Sequence, residues 1–267
     1  MIKELNTQVH PTAIIEAGAK IGRNSVVGPF CVVGRHVKLG EGVKLISHVN
    51  ISGQTEIGDD TVIWPFNSIG HEPQDLKYKG EKTFLKIGCR NKIRESVSIS
   101  PGTAGGGGVT TIGNDCLFML GTHIGHDCKL GDGIIIANNS AIAGHVIIED
   151  KVTIGGLSGV HQFCRIGEGA MIGAVSMVTN DVIPYATVIG DRASLAGLNL
   201  VGLRRRGVST KKINELRKTY SKLFYGDSNF KEQAKSILDD EPTNEFVKRI
   251  LNFILSDTNR SFLTPKI

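Results

Sequence analysis

A six-residue repeat constrains this chain more than any other feature. Counting in sixes from Ile15 meets an aliphatic side chain at every step to Ile69. The count resumes from Ile87 to Ile99 and again from Ile112 to Val178, where Phe118 is the one aromatic. Two residues before most anchors stands a small or β-branched side chain, as at Ala19, Ser25, Val43, Thr61, Thr122 and Ser140. Side chains two apart on a strand share a face, so both columns point inward. A short period sustained over so many steps marks a parallel β-helix. Three such repeats, one to a face, close one coil of triangular section. Glycine often follows the anchor (Gly22, Gly58, Gly125, Gly167). The expectation is that these glycines turn the corners with positive φ.

Composition supports a turn-rich β fold, with 33 glycines and only 6% aromatics among 267 residues. Cys31, Cys116, Cys128 and Cys164 occupy the small inward slot, where a thiol is a compact apolar filler, and Cys89 lies elsewhere. An odd number of cysteines with no CxxC reads as reduced thiols. No run of apolar residues is long enough to cross a membrane. The opening MIKELNTQVHPTA has no basic segment followed by an apolar run, so no secretory leader is expected. A cytoplasmic protein without stable membrane insertion is the expectation.

The hexads stop after about residue 185. The organisation expected is a β-helix over 1–190, with loops at 71–86 and 100–111, and then a connector and an α-helical domain over 191–267. Helices are expected at about 209–224, capped by Ser209 and stopped by Gly226, and then at about 229–238 and 243–255. Such a domain can shield the last coil of a solenoid. Residues 1–202 hold 17 basic and 18 acidic side chains, and residues 203–267 hold 14 and 8, so the whole +5 excess sits in the helical domain. This is either a solvated surface or a docking face for an acidic partner. Nucleic acid is not expected, because the segment has no interleaved aromatics or reading helix. The run Gly105–Gly108 neither precedes a helix nor carries a P-loop lysine, so it reads as a mobile surface loop.

Four of the eight histidines, His123, His126, His145 and His161, fall in one stretch and occupy neither inward slot. Three repeats after His126 is Gly144, beside His145, and three more give Gln162, beside His161. With coils about 4.8 Å apart, they form a polar column on the outside of the prism. Such imidazoles suit a general base near neutral pH, or a zinc site.

The segments THIGHDC (122–128), AGHV (143–146), GGLSGVHQFCRIG (155–167), HEPQDLKY (71–78) and GLNLVGLRRRG (197–207) resemble the UDP-N-acetylglucosamine O-acyltransferase family. These acyl-carrier-protein-dependent enzymes open lipid A biosynthesis, and the resemblance spans nearly the whole chain. It implies a mainly β fold, a left-handed parallel β-helix with a C-terminal α-helical domain, assembled as a homotrimer with sites between subunits. It implies transfer of a 3-hydroxyacyl chain from acyl carrier protein to the 3-hydroxyl of UDP-N-acetylglucosamine, with no cofactor and no metal. By position, His126 matches the general base, Asp127 its supporting carboxylate and Gly144 the backbone N–H at the oxyanion. Adjacent strand residues point opposite ways, so Asp127 can reach His126 only at a corner. His123, His145, His161 and Gln162 match contacts to substrate or acyl-pantetheine. Asp75 and Lys77 match sugar and phosphate contacts, and Asn199 and Arg205 the nucleotide site. Ala174 stands where relatives set acyl length, which implies a medium chain. Val201 replaces an acid and Arg192 a histidine near the nucleotide.

Other readings stand beside this one. A zinc hydratase like the γ-class carbonic anhydrases needs three histidines converging across a subunit interface. A non-catalytic structural β-helix shows outward arrays of Thr or Asn, which are missing here. The N-acyltransferases later in the pathway usually add an N-terminal domain. The residues do not separate a 3-hydroxy from a 3-amino sugar acceptor.

Overall fold

The computed structural model describes residues 7–226, 229–256, 258 and 260–266. The MIKELN opening, part of the segment read above as lacking a leader, lies outside them. Residues 8 to 178 form a coil of short strands, each paired in parallel with the third strand before and after it. Three sheets result. The first includes Val26–Val27, Lys44–Leu45 and Leu117–Phe118; the second Val32–Val33, His123–Ile124 and Met177–Val178; the third Lys38–Leu39, Lys129–Leu130 and Arg165–Ile166. The regular register advances by three repeats per coil, as in Lys129↔Ile147↔Arg165.

Every repeat anchor from Val27 to Val178 is buried. Filling a narrow prism with one aliphatic side chain per face leaves no room for a second layer, so the six-residue pattern is obligatory. Cys31, Cys116, Cys128 and Cys164 are buried in the small slot as expected, and all five cysteines are free. Burial pushes Cys116 and Cys164 up to about 11 and Cys128 to about 12, so these thiols stay protonated and inert.

The corners correct one expectation. Positive φ falls three residues before the anchor, at Asn24, Phe30, Asp127, His145 and Phe163 among others, and not at Gly22, Gly58, Gly125 or Gly167 after it. Glycine follows the anchor for space. A Cβ at Gly22 would lie 2.3 Å from the Gly40 oxygen, and one at Gly58 2.7 Å from the Gly88 carbon. The coils press closest at that point.

Two loops enlarge the coil. Ile63 pairs with Ile93, and Ile93 with Phe118, so each of these two coils takes in more chain than the three repeats of a regular one. The chain rejoins the third sheet at Phe84–Ile87 and Val109–Ile112, so the last residues of the segments 71–86 and 100–111 are strand. Buried Asn67 and Asn91 stitch these enlarged coils. The Asn91 amide donates to Gly88 O and Gly113 O and accepts from Cys116 N.

After the coil, Ala186–Ile189 and Ser194–Leu198 form an antiparallel hairpin that extends the first sheet. The connector expected from residue 191 onward therefore includes a strand, and it runs into a short helix, α1 (Leu200–Arg205). Then come α2 (Thr210–Tyr225, N-cap Ser209), α3 (Phe230–Asp239) and α4 (Glu245–Leu255). The helices pack on the last coils, where the Arg165 guanidinium lies 4.5 Å from the Phe253 ring centre and pairs with buried Asp181. Arg206 meets Glu168, and Arg249 meets Glu149. Part of the basic excess is thus neutralised within the chain. No helix among the described residues is long and apolar enough to cross a membrane.

Candidate active site

His126 and Asp127 fall where the chain turns from the second sheet to the third, between Ile124 and Lys129. Asp127 takes the left-handed conformation of that corner, φ 59°. The turn breaks strand alternation, so neighbouring side chains meet: His126 Nδ1 lies 2.8 Å from Asp127 Oδ2. The corner that Asp127 needed is present.

Both residues are buried, although their column was expected on the outside of the prism. The second loop covers them. Thr103 donates its backbone N–H to Asp127 Oδ1 at 2.8 Å and its hydroxyl to Oδ2 at 2.6 Å. Asp127 N–H donates to Thr110 Oγ1. With a carboxylate accepting at Nδ1–H, the imidazole keeps Nε2 as an acceptor. Gly144 lies under that ring. A Cβ there would sit 2.7 Å from His126 Nε2, so any larger residue would displace the base. No backbone carbonyl among the described residues takes up the Gly144 N–H.

His145, one residue further along the corner, meets the His126 ring edge-on at 4.9 Å and stacks on Phe163 at 4.3 Å. Burial lowers its proton affinity, opposed by Asp127 and reinforced by His126. Asp75 and Lys77 of the first loop act on its charge in opposite senses, Asp75 raising and Lys77 lowering its proton affinity, and neither lines the cleft beside His126. His123, bonded to Ser98 Oγ at 2.8 Å, is likewise held below the ordinary histidine value by burial and by His126. Both rings are neutral at pH 7.

A cleft of about 390 Å³ runs from His126 along the second sheet. Its floor is the column His123, Ala141, Gly159, Met177 in successive coils. Its walls include Gln74, Gly144, His161 and Gln162. Ala and Gly make the floor shallow, and the Met177 thioether lies over Gly159 and closes the far end. Arg192 continues the column above Met177. His161 accepts from Arg260 of the C-terminal segment at 2.8 Å.

Ala174, Asn199 and Arg205 do not line this cleft. Ala174 sits on the corner between the first and second sheets, one face away from His126. Asn199 caps α1 and bonds Gly169 O, Arg205 is exposed on α1, and Val201 is exposed beside it. Thr103, Ser98, Met177 and Arg260 escaped sequence reasoning. Thr103 and Arg260 arrive from segments with no repeat register to place them. Ser98 and Met177 were legible, as the outward residues of the His123 column.

His126, Asp127 and His145 offer three ligand-capable atoms within 4.8 Å of one another. Asp127 already accepts three hydrogen bonds, one of them from His126 Nδ1, so this donor set serves a hydrogen-bonded dyad better than a cation. The zinc-hydratase reading needs three converging histidines, and the corner supplies two.

A hexapeptide coil with a carboxylate-held imidazole in a groove along one face suits an acyltransferase of the hexapeptide-repeat class, and the relatives of this chain are of that class. A family model for bacterial transferase hexapeptide repeats matches residues 6–35 and 109–144, and one for domain 2 of UDP-N-acetylglucosamine O-acyltransferase matches 181–263. Acyl-[acyl-carrier-protein]–UDP-N-acetylglucosamine O-acyltransferase of Rhizobium johnstonii is 42% identical over 97% of this chain and 96% of its own. The Paracoccus denitrificans enzyme is 53% identical over 76% and 77%. A crystal structure of the Moraxella catarrhalis O-acyltransferase superposes with TM-score 0.93 at 40% identity, covering 96% and 99%. The chain belongs to the acyl-[acyl-carrier-protein]–UDP-N-acetylglucosamine O-acyltransferase family. Superposition this close over the whole coil requires the same hand, so the β-helix is left-handed.

Proposed function

We propose that this enzyme moves a 3-hydroxyacyl chain from acyl carrier protein to the 3-hydroxyl of UDP-N-acetylglucosamine, the first step of lipid A biosynthesis, with His126 as general base. The observation that carries the mechanism is the buried Asp127–His126 pair, with Nε2 turned to the cleft. Nε2 takes the proton of the sugar hydroxyl, and the oxygen attacks the thioester carbonyl. Negative charge collects on the carbonyl oxygen, where the Gly144 N–H offers a donor. The C–S bond breaks, an ester forms, and the departing thiolate receives the proton from His126. The neutral rings of His123 and His145 supply hydrogen-bonding groups without adding charge.

The same proposal assigns Asp75 and Lys77 to the sugar nucleotide, His161 and Gln162 to the acyl-pantetheine, and the His123–Met177 column to the acyl chain. Arg204, Arg205, Lys211, Arg217, Lys218 and Lys222 stay exposed on α1 and α2, where they suit the acidic carrier protein. A homotrimer is part of the reading. Phe30, Phe66, Leu120, Leu157 and Val175 form an exposed apolar ridge on the corner between the first and second sheets, bordering the cleft. Such a ridge suits coverage by a second copy. That copy would bring Ala174 and the Asn199–Arg205 segment to a shared boundary. A cytoplasmic setting is part of the same reading.

The test incubates chelator-treated enzyme with UDP-N-acetylglucosamine and 3-hydroxyacyl carrier proteins. Formation of the 3-O-acyl ester at full rate is expected. Hydration of carbon dioxide by zinc-loaded protein, with no acyl transfer, would contradict it.

A further inference from the structure

The second loop carries a group that the chemistry above does not use. Its only helical turn, Ala104–Gly106, follows Thr103 and is closed by Gly107 at φ 95°. Gly106 packs so tightly that a Cβ would lie 2.0 Å from Asp127 Cγ. Gly108 N–H returns to Thr103 O, and Gly108 O accepts from Phe84 N–H at the start of its strand. Glu81 of the first loop accepts from Ala104 N–H. The backbone donors of Lys79, Glu81 and Ala104 hold the Glu81 carboxyl below its ordinary range. Gly106 is therefore pressed onto a buried carboxylate, Gly102 and Gly108 are tied to the Phe84 strand and Ala104 to the first loop, while Gly105 and Gly107 stay exposed on the surface.

We propose that Thr103 is a positioning residue for the catalytic pair. Its N–H and its hydroxyl grip both oxygens of Asp127 at 2.8 and 2.6 Å, and this fixes the carboxylate plane so that Oδ2 meets His126 Nδ1. A carboxylate at a corner has rotational freedom about its last bond. Without the grip, Oδ2 can swing toward His145, whose Nδ1 lies 3.9 Å away. Thr103 thus selects which histidine is oriented. The proposal rests on His126 acting as general base.

The experiment compares initial rates of Thr103→Val, Thr103→Ser and Gly106→Ala with wild type, each also in a His126→Ala background. Thr103→Val keeps the shape and removes the hydroxyl donor. Its kcat should fall about 10- to 100-fold, the range expected when a hydrogen bond to a charged partner is lost. KM for UDP-N-acetylglucosamine should stay within about twofold. Thr103→Ser should recover most of the rate. Gly106→Ala keeps every polar group but pushes the cover off Asp127, and it should also lower kcat if Thr103→Val proves unstable. In the His126→Ala background neither change should cost more, because groups that act as a unit are not additive. A normal kcat in both variants, or an equal loss with and without His126, overturns the role of Thr103. A fully active His126→Ala enzyme overturns instead the reading on which it rests.

Discussion

At the scale of single residues, the site is a problem of charge under cover. Asp127 is buried with three donors, and His123 and His145 are held neutral by burial. Lowered histidine values in the fold mean that the unfolded chain binds protons more readily near pH 6. Stability is therefore greatest above the unfolded histidine value of about 6.5 and falls as pH drops through it toward the folded values. Thermal midpoints at pH 7.5 and 5.5 should show this loss. The loss should shrink in His123→Gln/His145→Gln, and an equal loss in that variant would assign it to other groups. The residue types were legible beforehand, since histidines spaced by a coil lie outside the core. Their depth was not. It comes from the second loop, whose path over Asp127 depends on contacts that no repeat encodes.

At the scale of elements, two features carry the consequences: the stacked faces and the loops between them. Buried side-chain amides replace small residues where coils are enlarged. Asn91→Ala would strand Gly113 O and Cys116 N and leave Gly88 O with the Thr61 hydroxyl alone, and it should lower the thermal midpoint well beyond the exposed control Lys92→Ala. The second-sheet floor gives a separate prediction. From His123 to Met177 is three coils, about 14 Å at 4.8 Å per coil. Met177→Gly should extend the usable acyl chain, read as a shift toward longer 3-hydroxyacyl carrier proteins in competition. Ala174→Gly should shift preference only if a neighbouring chain brings that corner to the cleft. If neither change alters preference, the column does not hold the acyl chain. The hexads made the faces legible because inward slots repeat every six residues. The hairpin and α1 were missed because they begin where the period ends.

At the scale of the whole molecule, the coil is a rod with one apolar corner and one basic end. Exposed apolar side chains recur along one edge at Phe30, Phe66, Leu120, Leu157 and Val175. In solution the mass by light scattering should be about three times the 28.7 kDa of one chain. A paired Phe66→Glu and Leu157→Glu change should yield monomers with little activity, and a wild-type monomer with full activity would remove the shared-cleft reading. Charge asymmetry was plain in the sequence. Its partial use within the chain was not, because Arg206 and Arg249 of the helical domain reach back to Glu168 and Glu149 in the coil, pairings far apart in sequence.

The central claim is that His126, oriented by Asp127, deprotonates the acceptor hydroxyl. The direct measurement is the single-turnover rate of acyl transfer to UDP-N-acetylglucosamine by wild type, His126→Ala and Asp127→Asn under saturating carrier-protein substrate. General-base catalysis predicts a loss of about 10²- to 10⁴-fold for His126→Ala, with a substantial loss for Asp127→Asn and unchanged folding of both. A loss below about tenfold for His126→Ala would contradict it.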